Sequence, residues 1–439
     1  MAEFYSYQYG EILRKLRNEQ GRAMKFFEDD RLSQATISKI ENGHPHVSEE
    51  KVKLYAERLG TNLEALPQIL SEEQERHERI ELKLLSVENY IDLLGPDIGL
   101  KKLKELQVND DDRYKPILNY LKGKCYFHKK LLKKAKTFFL KTIMYINQES
   151  SFNHKNLKSI CLNKLGRIAN VENNLEEALN YTQEGIREFE TDQKREYVLY
   201  SLMTNKAIYL EEMGLLERSL QTIQKIKEAQ HGAKTMDGAL SLFDLESRIL
   251  NKNQMYSKAI ALVKEGIELA RINHMYDRSF ALWNTFGNIN FDMNKLDESK
   301  ICYRTALDLK EKITKKRPII SVYKQLGIIA QRQGDIDLAK EYLEKSIQYG
   351  DKIRDMLQFI GAFIAYGDFY RKRLLFREAS HQYQQGLELA QKYKYLEKEE
   401  EALAKLSECF KHLGNDEHYL DYSQQLQSVR VRLLDGGDG

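Results

Sequence analysis

Small residues recur along most of this chain at a nearly constant spacing. They are Gly123, Gly166, Ala207, Ser247, Gly287, Gly327, Gly367 and Ser407. The steps between them are 43 and 41 residues and then 40 five times. A second small residue follows each of the first seven by twelve positions; the series is Ala135, Ala178, Ser219, Ala259, Ser299, Ala339 and Ala379, and Tyr419 breaks it. Two small positions per unit let antiparallel helices pack closely, and this period is typical of a helical-hairpin solenoid. The sequence therefore predicts an all-α chain whose larger part is a right-handed α-solenoid.

The repeating units resemble tetratricopeptide repeats. The matching residues are Trp283 and Gly287 with Ala306, Leu326 and Gly327 with Ala339, and Tyr366 and Gly367 with Ala379. Since the usual tetratricopeptide period is about 34 residues, a period of 40 predicts longer helices. Pro116 and Pro318 fall where first helices should begin, and there a missing N–H is harmless. We expect about eight units from residue 114 within a repeat domain at 98–434.

In such a solenoid the first helix of each pair faces an inner groove, and several residues predicted to lie there are polar. The predicted peptide-binding residues are Lys124, Asn163, Arg167, Asn205, Tyr209, Asp244, Arg248, Asn284, Asn288 and Lys324. A carboxamide can donate to and accept from one peptide backbone unit, and Arg or Lys can pair with a carboxylate. The pattern favours a groove that binds an extended peptide. For any single residue, a merely solvated polar face is an equally good interpretation.

Near the N-terminus, Ser-Gln-Ala-Thr-Ile-Ser-Lys-Ile-Glu-Asn-Gly at 33–43 predicts a short helix suited to a DNA groove. Ser33 can cap its start and Gly43 can end it. Ile37 and Ile40 share one buried face. The predicted DNA-binding residues are Gln34, Thr36, Ser38, Lys39 and Asn42 on or beside this helix, with Arg14 and Arg17 on the first helix. The flanking segments predict a domain of five short helices at 1–70.

Residues 10–17, 36–43 and 54–60 resemble the phage-repressor (Cro/C1, Xre) helix-turn-helix domain. The sequence departs from that family at 22–28, where the turn is one residue short. Residues 1–70 carry 10 Lys or Arg against 11 Asp or Glu, whereas DNA-binding domains usually have a basic surface. A helix-turn-helix retained only as a packing module is therefore the alternative.

Two further segments have distinct compositions. Residues 71–97 are mostly good helix formers and predict a helical linker. Residues 101–141 contain 13 Lys or Arg against four acidic residues. This basic segment is either a solvated face or a contact for DNA phosphates, an acidic partner or an acidic peptide. The tail at 435–439 is predicted to be disordered.

No catalytic or cofactor motif is present. The chain lacks a phosphate-binding Gly-x4-Gly-Lys loop, a His-Glu-x2-His pair and a Gly-x-Ser-x-Gly elbow. The four cysteines are far apart and indicate neither disulfides nor zinc. No run is apolar enough to span a membrane, and the start has no secretion-signal pattern. We expect a cytoplasmic protein that is not an enzyme, with no cofactor, no metal and no membrane partner.

The combination of an Xre-type helix-turn-helix with tetratricopeptide repeats resembles the Rap/NprR/PlcR/PrgX (RNPP) regulators of Gram-positive bacteria, and the repeat number is most similar to NprR. In that family, Asn side chains of successive inner helices hold the backbone of a signalling peptide, and Asn163 and Asn205 occupy similar positions. The resemblance implies a quorum-sensing transcriptional regulator whose partners are a double-stranded DNA operator, a short peptide and a second copy or more of itself. Two alternatives stay open: a Rap-like module that sequesters or dephosphorylates a response regulator, or a scaffold without peptide control.

Overall fold

A computed structural model gives the fold. It describes residues 7–44, 46–106, 112–148, 156–191, 195, 197–228, 235–353 and 355–435. All regular elements in these ranges are helices, in agreement with the predicted all-α class. The chain forms two compact units, 1–157 and 158–439. Among the described helices, none is both long and apolar enough to cross a membrane.

The first unit begins with the helix-turn-helix domain. Its elements are α1 (Tyr7–Glu19), a 3-10 helix (Met24–Phe27), α2 (Gln34–Glu41) and α3 (Glu49–Arg58). As predicted, Ser33 caps α2 by accepting a hydrogen bond from the Thr36 N–H at 3.3 Å, and Gly43 follows with a φ of +64°. The predicted second helix is reduced to the 3-10 turn. There, Phe27 is buried in the core while Phe26 stays exposed under Arg22.

A long helix, α4 (Leu66–Leu93), follows the helix-turn-helix domain. Residues 71–93 are helical, as predicted for the linker, but the prediction of a separate fifth helix before it was wrong, because no Gly or Pro interrupts the helix after Pro67. Leu66 joins the core of the helix-turn-helix domain, and Leu84, Val87 and Ile91 are buried further along. One continuous helix therefore replaces both predicted elements.

The first unit ends with α5 (Pro96–Glu105) and the hairpin α6 (Lys115–His128) and α7 (Leu132–Gln148). Pro116 lies in the first turn of α6, as predicted. The first predicted repeat thus belongs to the same compact unit as the helix-turn-helix domain, so the compact units divide the chain later than the predicted boundary at 97/98.

The second unit is a series of seven described helical hairpins. The hairpins are α8 (Leu157–Val171) with α9 (Leu175–Arg187), α10 (Tyr197–Glu212) with α11 (Leu216–Glu228), α12 (Met236–Lys252) with α13 (Tyr256–Ile272), α14 (Tyr276–Asp292) with α15 (Leu296–Asp308), α16 (Pro318–Arg332) with α17 (Ile336–Ile353), α18 (Met356–Arg371) with α19 (Phe376–Tyr393), and α20 (Leu396–His412) with α21 (Asp416–Asp435). Apart from Asp435, the predicted disordered tail lies outside the described residues.

The small residues set the distance between the two helices of a hairpin. A Cβ added at Gly287 would lie 2.5 Å from the ring of Tyr303 on α15, and one at Gly327 would lie 2.7 Å from Leu343 on α17. The second small position contributes a hydrogen bond where it is serine, since Ser299 Oγ donates to the Gly287 carbonyl at 2.8 Å. The core lies between the first and second helices, which leaves the other face of the first helices for polar side chains.

Candidate functional site

Helix α2 presents polar side chains on the surface of the helix-turn-helix domain. Gln34 and Lys39 are exposed, and Thr36 and Ser38 are half-buried. Ile37 and Ile40 on the opposite face are buried in the domain core. Lys39 makes no ion pair within the described ranges. An amide, two hydroxyls and an ammonium group are the side chains with which recognition helices bind base edges and phosphates.

Three of the predicted DNA contacts, Gln34, Asn42 and Arg14, already have partners within the domain. The Gln34 side-chain N–H donates to Glu28 Oε2 at 2.6 Å. The Asn42 side-chain oxygen accepts a hydrogen bond from Arg14, which also donates to the Glu41 carbonyl. Gln34 must therefore leave an acidic neighbour to reach a base, whereas Arg14 and Asn42 support each other at the end of α2.

Arg17 does not fit its predicted role in DNA contact. Its Nε donates to Glu41 Oε1 at 2.7 Å and its Nη2 donates to Glu41 Oε2 at 3.0 Å. The same carboxylate accepts from the Tyr55 hydroxyl at 2.6 Å. The hydrogen bond to Glu41 raises the pKa of Arg17 although burial opposes it, and burial together with the Glu41 carboxylate raises the pKa of Tyr55. Arg17 thus neutralises a carboxylate that is 1% exposed and holds the domain together.

Lys124 also departs from its prediction, since it is bound inside the first unit. Its Nζ donates to Glu88 Oε1 at 3.0 Å and to Asp92 Oδ2 at 2.7 Å, both on α4. This lysine ties α6 to α4 instead of facing a peptide. On α7 and just before it, four exposed lysines have no carboxylate partner among the described residues: Lys130, Lys133, Lys134 and Lys141. Residues 107–111 of the basic segment lie outside those ranges.

In the second unit, Asn163 and Asn205 are in contact. Asn205 Nδ2 donates to Asn163 Oδ1 at 2.6 Å, and Asn163 Nδ2 donates to Ser201 Oγ at 2.9 Å. Asn163 is 7% exposed. Both polar ends of Asn163 are therefore satisfied by α10, and a ligand that uses this amide has to compete with protein groups.

A charged cluster follows on the next helices. Asp244 accepts a hydrogen bond from Thr285 Oγ1 at 2.6 Å and lies 3.5 Å from Arg248 Nε. Arg248 reaches Glu211 at 3.3 Å, and Lys252 reaches the same carboxylate at 2.5 Å. Burial alone would lower the pKa of Arg248, but the attraction of the Asp244 and Glu211 carboxylates is the stronger effect, so the pKa of Arg248 is raised. The charges of Asp244 and Arg248 are thus neutralised within the protein.

These contacts join residues about one repeat period apart. The partners are separated by 42 residues in Asn163 and Asn205, by 38 in Asn163 and Ser201, and by 41 in Asp244 and Thr285. We call the polar face of α8, α10, α12, α14 and α16 that carries Asn163, Asp244, Asn284 and Lys324 the inner face. The sequence analysis did not predict that Ser201, Thr285 and Glu211 contribute to this face. The signal for the first two is a polar residue about one repeat period after another polar residue, as Ser201 follows Asn163 and Thr285 follows Asp244.

Three other predicted residues have different surroundings. Tyr209 is 3% exposed and belongs to an apolar cluster, so it does not form an open aromatic wall. Although Arg167 is exposed, burial of its charge among neighbouring protein groups lowers its pKa. Asn288 Oδ1 accepts from the Tyr303 hydroxyl at 2.6 Å, which ties it to the packing between α14 and α15.

Asn284 and Lys324 differ from Asn163 and Asp244 on the inner face. The Asn284 side-chain oxygen is buried and has no hydrogen-bond partner among the described residues. Lys324 is half-buried, and no hydrogen bond or ion pair holds its ammonium group within the same ranges. Burial lowers the pKa of Lys324, and repulsion from Lys398 lowers it further. These two residues occupy equivalent positions on α14 and α16.

Comparison with known proteins supports both domains. The sequence profile of the Helix-turn-helix family matches residues 13–66, and that of the Tetratricopeptide repeat matches residues 278–349. In sequence, no curated protein matches the chain.

Several solved structures share its fold. The apo quorum sensor NprR from B. thuringiensis has a TM-score of 0.59 at 14% identity, over 74% of this chain and 93% of that chain. A Rap protein complexed with Competence and Sporulation Factor has a TM-score of 0.55 at 14% identity, over 82% of this chain and 99% of that chain. A STAND protein with a tetratricopeptide repeat sensor from Pyrococcus horikoshii has a TM-score of 0.52 at 15% identity, over 98% of this chain and 64% of that chain. This chain thus combines a helix-turn-helix domain with tetratricopeptide repeats, and its fold is similar to those of the NprR and Rap structures.

Proposed function

We propose that this protein is a cytoplasmic transcriptional regulator whose DNA binding or oligomeric state is controlled by a short signalling peptide bound at the inner face. The observation that carries the proposal is the inner face itself, where amides and charged groups follow one another on successive first helices. Two of its members, Asn284 and Lys324, lack partners among the described residues. Buried polar groups are normally hydrogen-bonded, so this face is suited to a polar, extended ligand.

The DNA-binding part of the proposal rests on the exposed face of α2. We expect the double substitution Gln34→Ala with Lys39→Ala to weaken binding to a duplex selected from a randomised pool by about tenfold or more, because base and phosphate contacts are lost together. A gel-shift titration of the full chain measures this. Lys258→Ala, which removes an exposed lysine of α13, is the matched control. Unchanged binding in the double variant would leave the helix-turn-helix as a packing module.

The peptide-binding part is tested by a mixture of short synthetic peptides. We expect the mixture to change the affinity of the full chain for the selected duplex or its oligomeric state, and we expect Asn163→Ala or Asn205→Ala to abolish that response while DNA binding alone persists. A ligand can shift the balance between two states only if it binds them with different affinity. If both variants respond like the wild type, the Asn163–Asn205 pair takes no part in the response.

An apolar stripe on α4 supports the proposal of a homodimer. Leu82, Leu85 and Leu93 lie on one side of this helix and are 66%, 64% and 74% exposed. Exposed apolar patches often mark protein contacts, and a dimer would pair two DNA-binding domains on two half-sites. Leu85→Glu should shift the full chain towards monomer in light scattering. An unchanged mass would move the contact elsewhere.

The second candidate function is a Rap-like module that sequesters or dephosphorylates a response regulator. The exposed lysines Lys130, Lys133, Lys134 and Lys141 favour it, because a surface of one charge attracts an acidic protein. This function predicts that an acidic receiver-domain protein copurifies with the full chain and is lost when these lysines are replaced. That result, together with unchanged DNA binding in the Gln34→Ala, Lys39→Ala double variant, would favour this function over the first.

A further inference from the structure

The inner face divides into a part whose polar groups bind one another and a part whose groups are left without partners. Asn163 and Asp244 are saturated by Ser201, Asn205 and Thr285. Asn284 and Lys324, on the next two first helices, have no such partners within the described ranges. The Thr204 hydroxyl is also without a partner there, but Asp244 separates it from this pair. The unsatisfied groups are therefore adjacent, and they differ in what they require.

Asn284 requires a hydrogen-bond donor. Its carboxamide oxygen is buried, whereas Thr285 beside it is already bound to Asp244 at 2.6 Å. An amide oxygen accepts but cannot donate. The backbone N–H of a peptide is a suitable partner, and every peptide carries several of them regardless of its sequence.

Lys324 requires an anion. The groups that face it are Lys398, which repels it, and Glu401, which attracts it. Glu401 is itself bound by Lys398 at 2.7 Å and by Lys405 at 3.5 Å. The Lys324 ammonium group lies over Gly361 on α18, where an added Cβ would come no closer than 3.6 Å to Nζ. This Nζ is the sole atom outside the neighbouring backbone that the added Cβ would meet within 4 Å, so no side chain of the described residues fills the position next to the ammonium group.

The distance between the two groups sets the length of ligand that they can share. Packed helices lie about 8–10 Å apart, and an extended peptide advances about 3.3–3.6 Å per residue. We propose that the ligand of the inner face is a carboxylate-bearing peptide, with Lys324 binding the carboxylate and Asn284 accepting a backbone N–H about three residues away along the peptide. This inference rests on the proposed function and specifies the chemistry of its ligand. The carboxylate belongs either to the C-terminus or to an Asp or Glu side chain.

Four mixtures of short synthetic peptides separate these sources. They have a free or an amidated C-terminus, each with or without Asp and Glu. We expect the full chain to retain peptides from mixtures that contain a carboxylate about tenfold better than from the mixture without one, because a hydrogen bond to a charged group contributes about 1.5–3 kcal/mol. Size-exclusion separation followed by mass spectrometry measures the retained peptides. The retained mixture identifies the C-terminal or side-chain carboxylate.

Variants then assign the residues. Lys324→Met should remove the preference for carboxylates, and Lys324→Glu should reverse it towards peptides with Lys or Arg. Asn284→Ala should lower the retention of all four mixtures alike, because all of them carry backbone N–H groups. Lys258→Met on the exposed face of α13 is the control and should behave as wild type.

The outcomes distinguish the inference from the proposed function. If the wild type retains peptides but shows no carboxylate preference, or if Lys324→Met keeps that preference, the inference is wrong while peptide binding stands. If the wild type retains none of the four mixtures, both the inference and the peptide-binding part of the proposed function are overturned.

Discussion

Glu41, at the end of α2, is only 1% exposed. It accepts hydrogen bonds from Arg17 on α1 and Tyr55 on α3, so one side chain joins three helices of the domain. Burial of a lone carboxylate is strongly unfavourable, and a charged partner with additional hydrogen bonds is what makes the position tolerable. The orientation of α2, and with it the surface proposed to bind DNA, depends on this group.

Replacement of Arg17 by methionine leaves the Glu41 carboxylate buried without its cation. We expect Arg17→Met to lower the free energy of opening of the helix-turn-helix domain by about 3 kcal/mol, the lower end of the range for breaking a buried pair. Amide hydrogen exchange of α1–α3 in the full chain measures this quantity. Arg22→Met removes an exposed arginine of the same domain that lies over Phe26, and its effect should stay below about 1 kcal/mol. Equal exchange in the two variants would contradict the assignment.

Residue types and spacing predicted where polar groups lie, but not which of them are already occupied. Asn163 and Asn284 have the same side chain and the same position relative to a small residue. The first is saturated by Ser201 and Asn205, whereas the oxygen of the second is left without a partner in the described part of the chain. The partners of Asn163 lie on the neighbouring helix α10, about one period away, and not in its local sequence. The same reason explains why Arg17 and Lys124 are misassigned by sequence alone.

At the scale of elements, the small-residue register was predictable because it reflects a local steric requirement repeated in every unit. Gly287 is closed off by the ring of Tyr303, and Ser299 donates back to the Gly287 carbonyl at 2.8 Å. Long helix α4 was less predictable. Its sequence favours a helix throughout, so the local sequence does not indicate where α4 stops packing against the helix-turn-helix core. Tertiary packing decides this, since Leu66 is buried in that core and Leu84 is buried further along the helix.

The packing around two glycines of first helices predicts opposite effects on stability when each is replaced by alanine. Gly287→Ala places a Cβ 2.5 Å from a ring atom of Tyr303, whose hydroxyl is fixed by Asn288. We expect it to destabilise α14 and α15 by about 1–2 kcal/mol, because overpacking outweighs the gain in helix propensity. A Cβ added by Gly361→Ala makes only an ordinary contact, 3.6 Å from Lys324 Nζ, and the substitution should stabilise α18 by up to about 1 kcal/mol. Amide hydrogen exchange of each hairpin in the full chain compares them, and a loss of protection at Gly361→Ala would contradict the steric argument.

An ion pair between two first helices, α12 and α14, predicts that the stability of the second unit depends on pH. Arg278 on α14 donates to both oxygens of Asp237 on α12 at 2.7 Å. This hydrogen bonding, together with the charge of Arg278, holds the pKa of Asp237 below its usual value of 3.8. The folded state therefore binds fewer protons here than the unfolded state, and the pair stabilises the fold above that value and loses its effect as pH falls through the lower folded pKa.

We expect Asp237→Asn to lower stability by about 0.5–1 kcal/mol near neutral pH, a modest effect because the carboxylate is half exposed. The difference in melting temperature from the wild type should persist down to about pH 4 and narrow below it. Asp351→Asn, at an exposed aspartate of α17 with no ion pair among the described residues, is the control. A difference that stays constant across this pH range would show that the carboxylate charge is not the cause.

At the scale of the whole molecule, α4 is attached at two levels of the first unit. Its N-terminal Leu66 belongs to the helix-turn-helix core, and its C-terminal half binds α6 through Glu88 and Asp92, both of which accept from Lys124. Between them, Glu73 binds Lys15 of α1 at 2.5 Å and His77 at 3.1 Å. The hydrogen bond and charge of Lys15 keep the pKa of Glu73 low although burial opposes them. An uninterrupted helix can transmit displacement along its axis, so we expect Glu73 to be one contact through which α4 moves the helix-turn-helix domain.

If the proposed function holds, Glu73→Gln should reduce the effect of peptide binding on DNA affinity, while the chain still binds both the peptide and the duplex. Allosteric coupling between two sites typically changes affinity by about 5–150-fold, and we expect this factor to fall towards one when the neutral amide weakens the contact with Lys15. Duplex affinity of the full chain, measured with and without saturating peptide mixture, gives the factor for each variant. Glu78→Gln, at an exposed position on the same helix without an ion pair in the described part of the chain, should keep the wild-type factor. Coupling requires a structural element with two arrangements, and each ligand must bind one of them more tightly. If the factor is unchanged in Glu73→Gln, the contact between Glu73 and Lys15 is not part of that element.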